Sequence, residues 1–409
     1  MHILNVEAPV EVDESIISYQ ERSILPKSGT NYGKLGEIRF VIQSRDSYTH
    51  PSKSYLYIEG VIKDDAGNAP ARTKLSNNGL AFLFESVRFE VNSVEIDQTR
   101  NVGITTTLKN YVSLEKGDGE SMSNTGWNPA YRYTSIVKAN GKFSACIPLS
   151  MLLGFMEDYQ KILMCDQTLI LTRSNTDDNC YQMINPITQA NAKEECEITI
   201  ENIVWKVPFV QLGDRERLHM YNILEKKTPL FLSFRSWELM EYPILPQTTN
   251  HIWNVRTTSQ MEKPRYIIFG MQTARKNSVG KDATQFDDNS LIDFKIFLNE
   301  QVFPYDHLNL DFDNNHYSLL FEMYKKFQCS YYNKSNPRPT LSMEEFKTYA
   351  PIVVIDCTRQ TERVKTGSVD VRVEFQSKNN IPNSTSCYCL IIHDRVFELD
   401  LFNNKTRKL

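Results

Sequence analysis

No stretch of the chain reaches the ~18 uninterrupted apolar residues that a membrane-spanning helix needs. The opening residues MHILNVEAPVEVDESIIS also lack the basic and apolar regions of a secretory signal. A soluble chain made in a reducing compartment is the expectation, and the sequons at Asn333, Asn383 and Asn404 carry no weight there. The eight cysteines contain no C-x-x-C pair, so a tetrahedral zinc site has no signature. Cys387 and Cys389 share one face of a strand and read as small buried hydrophobes.

Catalytic signatures are equally scarce. The seven histidines (2, 50, 219, 251, 307, 316, 393) include no H-x-H pair, which disfavours a metal-holding bicupin. His393 reads as a strand histidine satisfied by its neighbours. No G-x-S-x-G and no Gly-rich phosphate loop occurs. Asp311, Asp313 and Asn315, with Glu322 at the twelfth position, imitate a calcium loop, but His316 stands where the turn needs Gly. Capping of the following helix by Asp313 explains the cluster with less. No catalytic, metal or cofactor residue is therefore assigned, no cofactor is implied, and a non-enzymatic protein is expected.

A basic arm is missing too. Lys+Arg number 46 against 50 Asp+Glu, for a net charge of -4, which argues against a broad nucleic-acid grip. Residues 1–30 hold Glu7, Glu11, Asp13, Glu14 and Glu21 against only Arg22 and Lys27. The basic end Lys405-Thr-Arg407-Lys408 reads as a solvated tail.

What the chain does contain is β patterning. Its 409 residues would overfill one core and divide naturally into two domains. Ile38, Phe40 and Ile42 alternate with polar residues, as do Val87, Phe89 and Val91. Asp64–Asn68 and Asn77–Gly79 read as exposed turns, and a short helix is expected from Asp13 through Ile16, Ile17 and Tyr19. Ile104, Leu108, Tyr111 and Val112 fit a helix, and so do Leu149, Leu152, Leu153 and Met156 after Pro148.

The second half repeats this plan. Phe294, Ile296, Leu298 and Asn299 follow Val87, Phe89, Val91 and Asn92 at a spacing of 207. Each series runs into a helix, the second built on Tyr317, Leu320, Phe321 and Tyr324. A capping box at Ser342 and Glu345 starts another, near where the first half has its Pro148 helix. Repetition at that length means two tandem β-rich domains. Jelly rolls fit best, although periodicity leaves immunoglobulin-like and barrel alternatives open.

The runs at 19–67, 83–97 (LFESVRFEVNSVEID), 147–163 (IPLSMLLGFMEDYQKIL) and 168–174 resemble the double jelly-roll major capsid proteins of Polinton (Maverick) elements and adintovirus-like DNA viruses. So do KPRYIIFGMQTARKNS at 263–278, LIDFKIFLNEQVFP at 291–304, HYSLLFEMYKKF at 316–327 and VKTGSVDVRVEFQ at 364–376. The resemblance covers roughly residues 15–402, in a chain with shorter loops than the larger members. It implies an all-β fold with short helices, a tandem double jelly roll of two eight-stranded antiparallel β-sandwiches. The expected layout is an N-terminal extension (1–30), a first roll (31–211), a linker (212–227) and a second roll (228–409) with a short basic tail.

It further implies a homotrimeric, pseudo-hexameric capsomer tiling an icosahedral virion around double-stranded DNA. Its partners are neighbouring capsomers and penton and minor capsid proteins, with synthesis in the host cytoplasm and assembly there or in the nucleus. Residues 1–30 are expected on the inner face, against neighbours, minor proteins or a lipid layer. A carbohydrate- or receptor-binding β-sandwich is the competing class, with aromatics Trp127, Trp237 or Trp253 in exposed loops, Trp127 foremost.

Overall fold

The computed structural model describes residues 15–27, 29, 32–43, 47–128, 136–184, 194–255, 263–359 and 369–409. Residues 1–14 of the expected extension, with His2 and Asp13, lie outside the described residues, as does 364–368 of the last quoted run. The first half contains β1 (Ile16–Ile24), β2 (Glu37–Ile42), β3 (Tyr48–Thr49), β4 (Tyr55–Asp64), β5 (Thr73–Leu75), β6 (Phe84–Val91) and β7 (Val94–Arg100). Helices α1 (Val102–Ser113) and α2 (Asp118–Ser121) come next, then β8 (Lys142–Pro148), α3 (Gly154–Asp158), β9 (Gln167–Arg173), β10 (Tyr181–Met183) and β11 (Cys196–Leu212). The helix α4 (Asp214–Glu225) leads into β12 (Leu230–Tyr242), β13 (Asn250–Val255), β14 (Pro264–Thr273), β15 (Leu291–Leu298) and β16 (Gln301–Phe303). After α5 (Ser318–Tyr332) and α6 (Met343–Tyr349) come β17 (Val353–Asp356), β18 (Val371–Ser377), β19 (Thr385–Asp400) and β20 (Lys405–Lys408).

The sheets repeat. In the first half one runs β1-β11-β4-β8, with β3 on β11, and the other β2-β9-β6-β7. In the second half one runs β12-β19-β14-β17, with β20 on β19, and the other β13-β18-β15-β16. The pairings along all four paths are antiparallel. Each half is thus a sandwich of two sheets built on four-strand paths of the same order, the expected eight-stranded pair, with β3 and β20 as fifth strands of one sheet in each half and β5 and β10 a separate two-stranded sheet in the first.

Alternation builds these layers. In β2 the inward Ile38, Phe40 and Ile42 are buried while Glu37 and Arg39 are exposed. Trp205 on β11 meets Phe40 and Phe89 of the opposite sheet edge to face, at 6.3 and 6.5 Å between centroids. In the second half the sheets are bridged instead from β14, the counterpart of β4, where Phe269 lies 4.7 Å from Phe294 and 5.2 Å from Phe375. Cys387 and Cys389 lie fully buried in β19, as expected of small hydrophobes.

The duplication reaches single side chains. Asn92 ends β6 in the left-handed region, at φ 51°, and its backbone N–H donates to the Asp166 carbonyl at 2.9 Å. Its side-chain oxygen accepts the Asp166 N–H at 3.2 Å. Asn299, at φ 52°, does the same with Asp370, at 3.0 and 2.9 Å. Asn tolerates that backbone and braces the start of the adjacent strand.

Several local expectations fail, each for a tertiary reason. Residues 16–24 form no helix; their β-branched start supplies a strand, β1, antiparallel to the otherwise open edge of β11. After Pro148 the chain makes a 3-10 turn at Leu149–Met151 and only the short α3. The second-half helix α6 precedes β17, whereas α3 follows β8, so the two do not correspond. Tyr317, not Asp313, is the N-cap of α5, and it caps without a side-chain bond. Ser342 does form its capping box with Glu345.

Asn77 and Asn78 are buried rather than exposed. Asn78 donates to the Thr106 and Thr107 hydroxyls of α1 at 2.9 and 3.0 Å. The basic C-terminus is no free tail but β20, hairpinned onto β19 through a turn closed by the Asp400 carboxylate, with Arg407 2.7 Å from Glu398.

Candidate functional site

Among the described residues no group of three or more His, Cys, Asp or Glu side chains converges to hold a metal. The calcium-like run is committed elsewhere. Asp311 accepts the backbone N–H groups of Asp313 and Asn314 at 3.1 and 3.2 Å, closing its own turn. Lys378 lies 3.2 Å from Asp313, and Glu322 pairs with Lys325 at 2.6 Å. A cavity of about 540 Å³ beside β4 and β5, walled also by Val137, Lys138 and Ala139, has no His, Cys, Asp or Glu in its lining.

The tryptophans expected in exposed loops are not there. Trp127 is 0% exposed and packs edge to face on Tyr111 of α1, at 5.3 Å, so its flanking polar residues misled. Trp237 is buried, and Trp253 is half-buried against Tyr242. None of the three lines an open aromatic groove.

The most elaborate chemistry in the molecule lies where the two sandwiches meet. The elements α1, β7 and α3 of the first cover the strand β12 of the second, and α5 packs along α1. Gly154 opens α3 because a Cβ there would lie 2.0 Å from the Arg235 carbonyl oxygen of β12. Phe155, next in sequence, joins both cores: it stacks on Phe89 at 5.3 Å and meets Phe234 edge to face at 5.1 Å.

Charge surrounds this apolar contact. The Asp158 carboxylate accepts the Arg235 backbone N–H at 2.8 Å and its guanidinium at 2.6 and 2.7 Å. The same guanidinium sits 3.5 Å over the Tyr331 ring. Asp97 of β7, almost fully buried, accepts Ser236 Oγ at 2.6 Å and the Phe155 N–H at 2.9 Å. Burial pushes its carboxyl pKa up, against the pull of Arg395 and these donors.

Lys109 of α1 is a fully buried cation at this junction. Its Nζ donates to Glu157 and Ser113 at 2.8 Å and to Tyr332 at 2.9 Å, between the rings of Tyr331 and Trp237 at 4.5 and 4.8 Å. Desolvation lowers its pKa and outweighs the opposing pull of Glu157. Glu157 also accepts the hydroxyls of Tyr331 and Tyr332. His393 of β19 is 1% exposed, and burial, helped by Arg395, lowers its pKa to about 4. Glu238, 3.9 Å from its Nε2, is too far to hydrogen-bond and offsets little.

Outside the junction the molecule presents bare faces. None of the nine residues of β1 is buried, and Ile16, Ile17 and Tyr19 are exposed. Tyr305, just past β16, is 89% exposed and Leu319 of α5 is 61% exposed. The described residues thus combine a buried, polar-braced junction between the sandwiches with exposed apolar side chains away from it. Sequence reasoning named no interface residues, because an edge strand and a buried one have the same alternation.

Comparison with known proteins agrees with this architecture. The sequence profile of the "Double jelly roll-like domain" family matches residues 73–397. No curated protein sequence matches. Among solved structures, that of the Sputnik virophage by cryo-EM superposes with a TM-score of 0.65 at 10% identity, covering 99% of this chain and 91% of that one. The mavirus major capsid protein gives 0.61 at 10% identity, covering 99% and 92%, and the PBCV-1 virus capsid 0.61 at 10%, covering 98% of each. At such identity the likeness is one of fold.

Proposed function

The chain belongs to the double jelly roll-like domain family, and from that premise we propose that it is a viral structural protein, the major capsid protein of a double-stranded DNA virus or virus-like element. The observation that carries this reading is the pair of like sandwiches locked side by side by a buried junction, in a fold shared end to end with chains from viral capsids. The role is architectural, not enzymatic.

The finer parts of the proposal follow from the same premise. We assign the first roll to β1 through β11, with residues 16–24 as its first strand, the linker to α4, and the second roll to β12 through β20. Three chains form a pseudo-hexagonal capsomer, since six similar rolls present six near-equivalent edges to a hexagonal lattice. Capsomers tile an icosahedral shell with penton and minor capsid proteins, and the shell encloses DNA without a basic arm. The quoted sequence runs favour the Polinton and adintovirus-like group.

Light scattering on the purified chain, followed by electron microscopy of the same sample, tests the reading. The expected species is three times the chain mass, burying well over ~2,000 Å² in total, as obligate assemblies do. A clean monomer at micromolar concentration in physiological buffer, with no particles, sinks it.

A further inference from the structure

Arginine binds oxyanions best where its guanidinium is held in place and no carboxylate competes for it. One cavity outside the junction meets both conditions. It encloses about 270 Å³ between β1, the end of β11, β3 and α4, and its wall includes Ser18, Gln20, Arg22, Ser47, Gln211 and Arg217. Ser18, Gln20 and Arg22 alternate along β1 and so project to one side of the strand, with Gln211 and Phe209 of β11 opposite Ser18 and Gln20.

Each arginine is placed by its neighbours. The Arg22 guanidinium lies 4.6 Å over the Phe209 ring, which anchors the cation at the wall. Arg217 comes from the start of α4, beside the almost fully buried Tyr48; burial raises the pKa of that phenol, and Arg217 opposes the rise, as a cation close to the hydroxyl does. None of the lining residues is acidic. Asp214 meets Arg217 at 3.1 Å from outside the wall, where it is 83% exposed and screened by water. Glu21 turns to the other face of β1 and accepts the Tyr55 hydroxyl at 2.9 Å. Two cations that line one small space repel each other when it holds only water, and a dianion between them removes that repulsion.

We propose that this cavity is a binding site for a phosphomonoester, taken as its dianion between Arg22 and Arg217. A phosphomonoester carries about 1.5–2 negative charges at pH 7, which matches the two guanidiniums, whereas a carboxylate or a phosphodiester carries one. Its three terminal oxygens need further donors, and the Ser18 and Ser47 hydroxyls and the Gln20 and Gln211 amides are the neutral donors in the wall. The volume is below the ~300–1,000 Å³ of a drug-sized ligand pocket, so the rest of the ligand is small, the size of a sugar rather than of a nucleic-acid strand. The site does not depend on the capsid reading, since its walls come from one chain.

Calorimetric titration of the full chain, in the assembly it forms, with ribose 5-phosphate and with inorganic phosphate tests this. Both should bind saturably, one per chain, and more weakly as salt is raised. Arg22→Gln and Arg217→Gln should each lower affinity at least about tenfold while still melting cooperatively. Lys206→Gln, whose cation bonds Ser23 on the other face of β1, should leave affinity unchanged. Absence of saturable binding, or affinity that survives both arginine variants, overturns the proposal. An equal loss in Lys206→Gln overturns it too, because it marks diffuse charge attraction, and so does tighter binding of an oligothymidylate, whose internal phosphates are diesters. Should an arginine variant fail to fold, protection of Arg22 and Arg217 from phenylglyoxal by ribose 5-phosphate on wild-type chain decides, and unchanged modification rates overturn the site.

Discussion

Lys109 and His393 are ionisable groups held where water cannot reach them, and their energetics have opposite tests. Because desolvation outweighs the Glu157 contact, the Lys109 pair fixes geometry more than it stabilises. Lys109→Met alone should cost about 3–5 kcal/mol, since it strands a buried carboxylate, and Lys109→Met with Glu157→Gln should recover most of it. Urea unfolding of the two variants measures both. For His393 the sign follows from a folded pKa of about 4 against the ordinary 6.5. Between those values the unfolded chain holds the extra proton, so stability is complete above pH 6.5 and falls as pH drops towards 4. A gap of that size amounts to about 3 kcal/mol. Denaturant midpoints between pH 7 and 4 should show that loss, and His393→Leu should flatten the limb.

The paired turns at Asn92 and Asn299 are the best probe of the elements, because the repeat makes each a control for the other. Asn92→Ala and Asn299→Ala lose a tolerated left-handed residue and a bond to the next strand, and each should cost about 1–2 kcal/mol. Glycine at either site should cost less, and calorimetry that finds very unequal costs would count against equivalence. These turns were legible at the 207-residue spacing because strand alternation and a turn residue are local signals. The elements misread were decided by distant partners. β1 becomes a strand because β11 has an open edge, α3 is cut short where Gly154 meets Arg235, and Trp127 is buried by Tyr111. No window of sequence around Ile17, Gly154 or Trp127 contains those partners.

At the scale of the molecule the duplication was readable and the junction between the sandwiches was not, for one physical reason: burial between units depends on which copy of a face finds a partner. β1 and β12 are counterparts with opposite fates, and although β12 (LFLSFRSWELMEY) is the more aromatic, neither strand contains the α1, α3 and β7 residues that decide which is covered. The covered edge also couples the rolls. Phe155 belongs to both cores, and Asp97, Asp158 and Glu157 of the first roll are hydrogen-bonded to Ser236, Arg235 and Tyr331 of the second. Opening the junction would bare those groups, so neither roll unfolds without stranding charges on the other. The single wild-type chain should therefore melt in one calorimetric transition, with van't Hoff and calorimetric enthalpies equal. Phe155→Ala should cost about 3–5 kcal/mol and split the melt into two, because it removes the side chain the cores share. A wild type that already melts in two steps would mean that the junction holds the rolls in place without linking their stability.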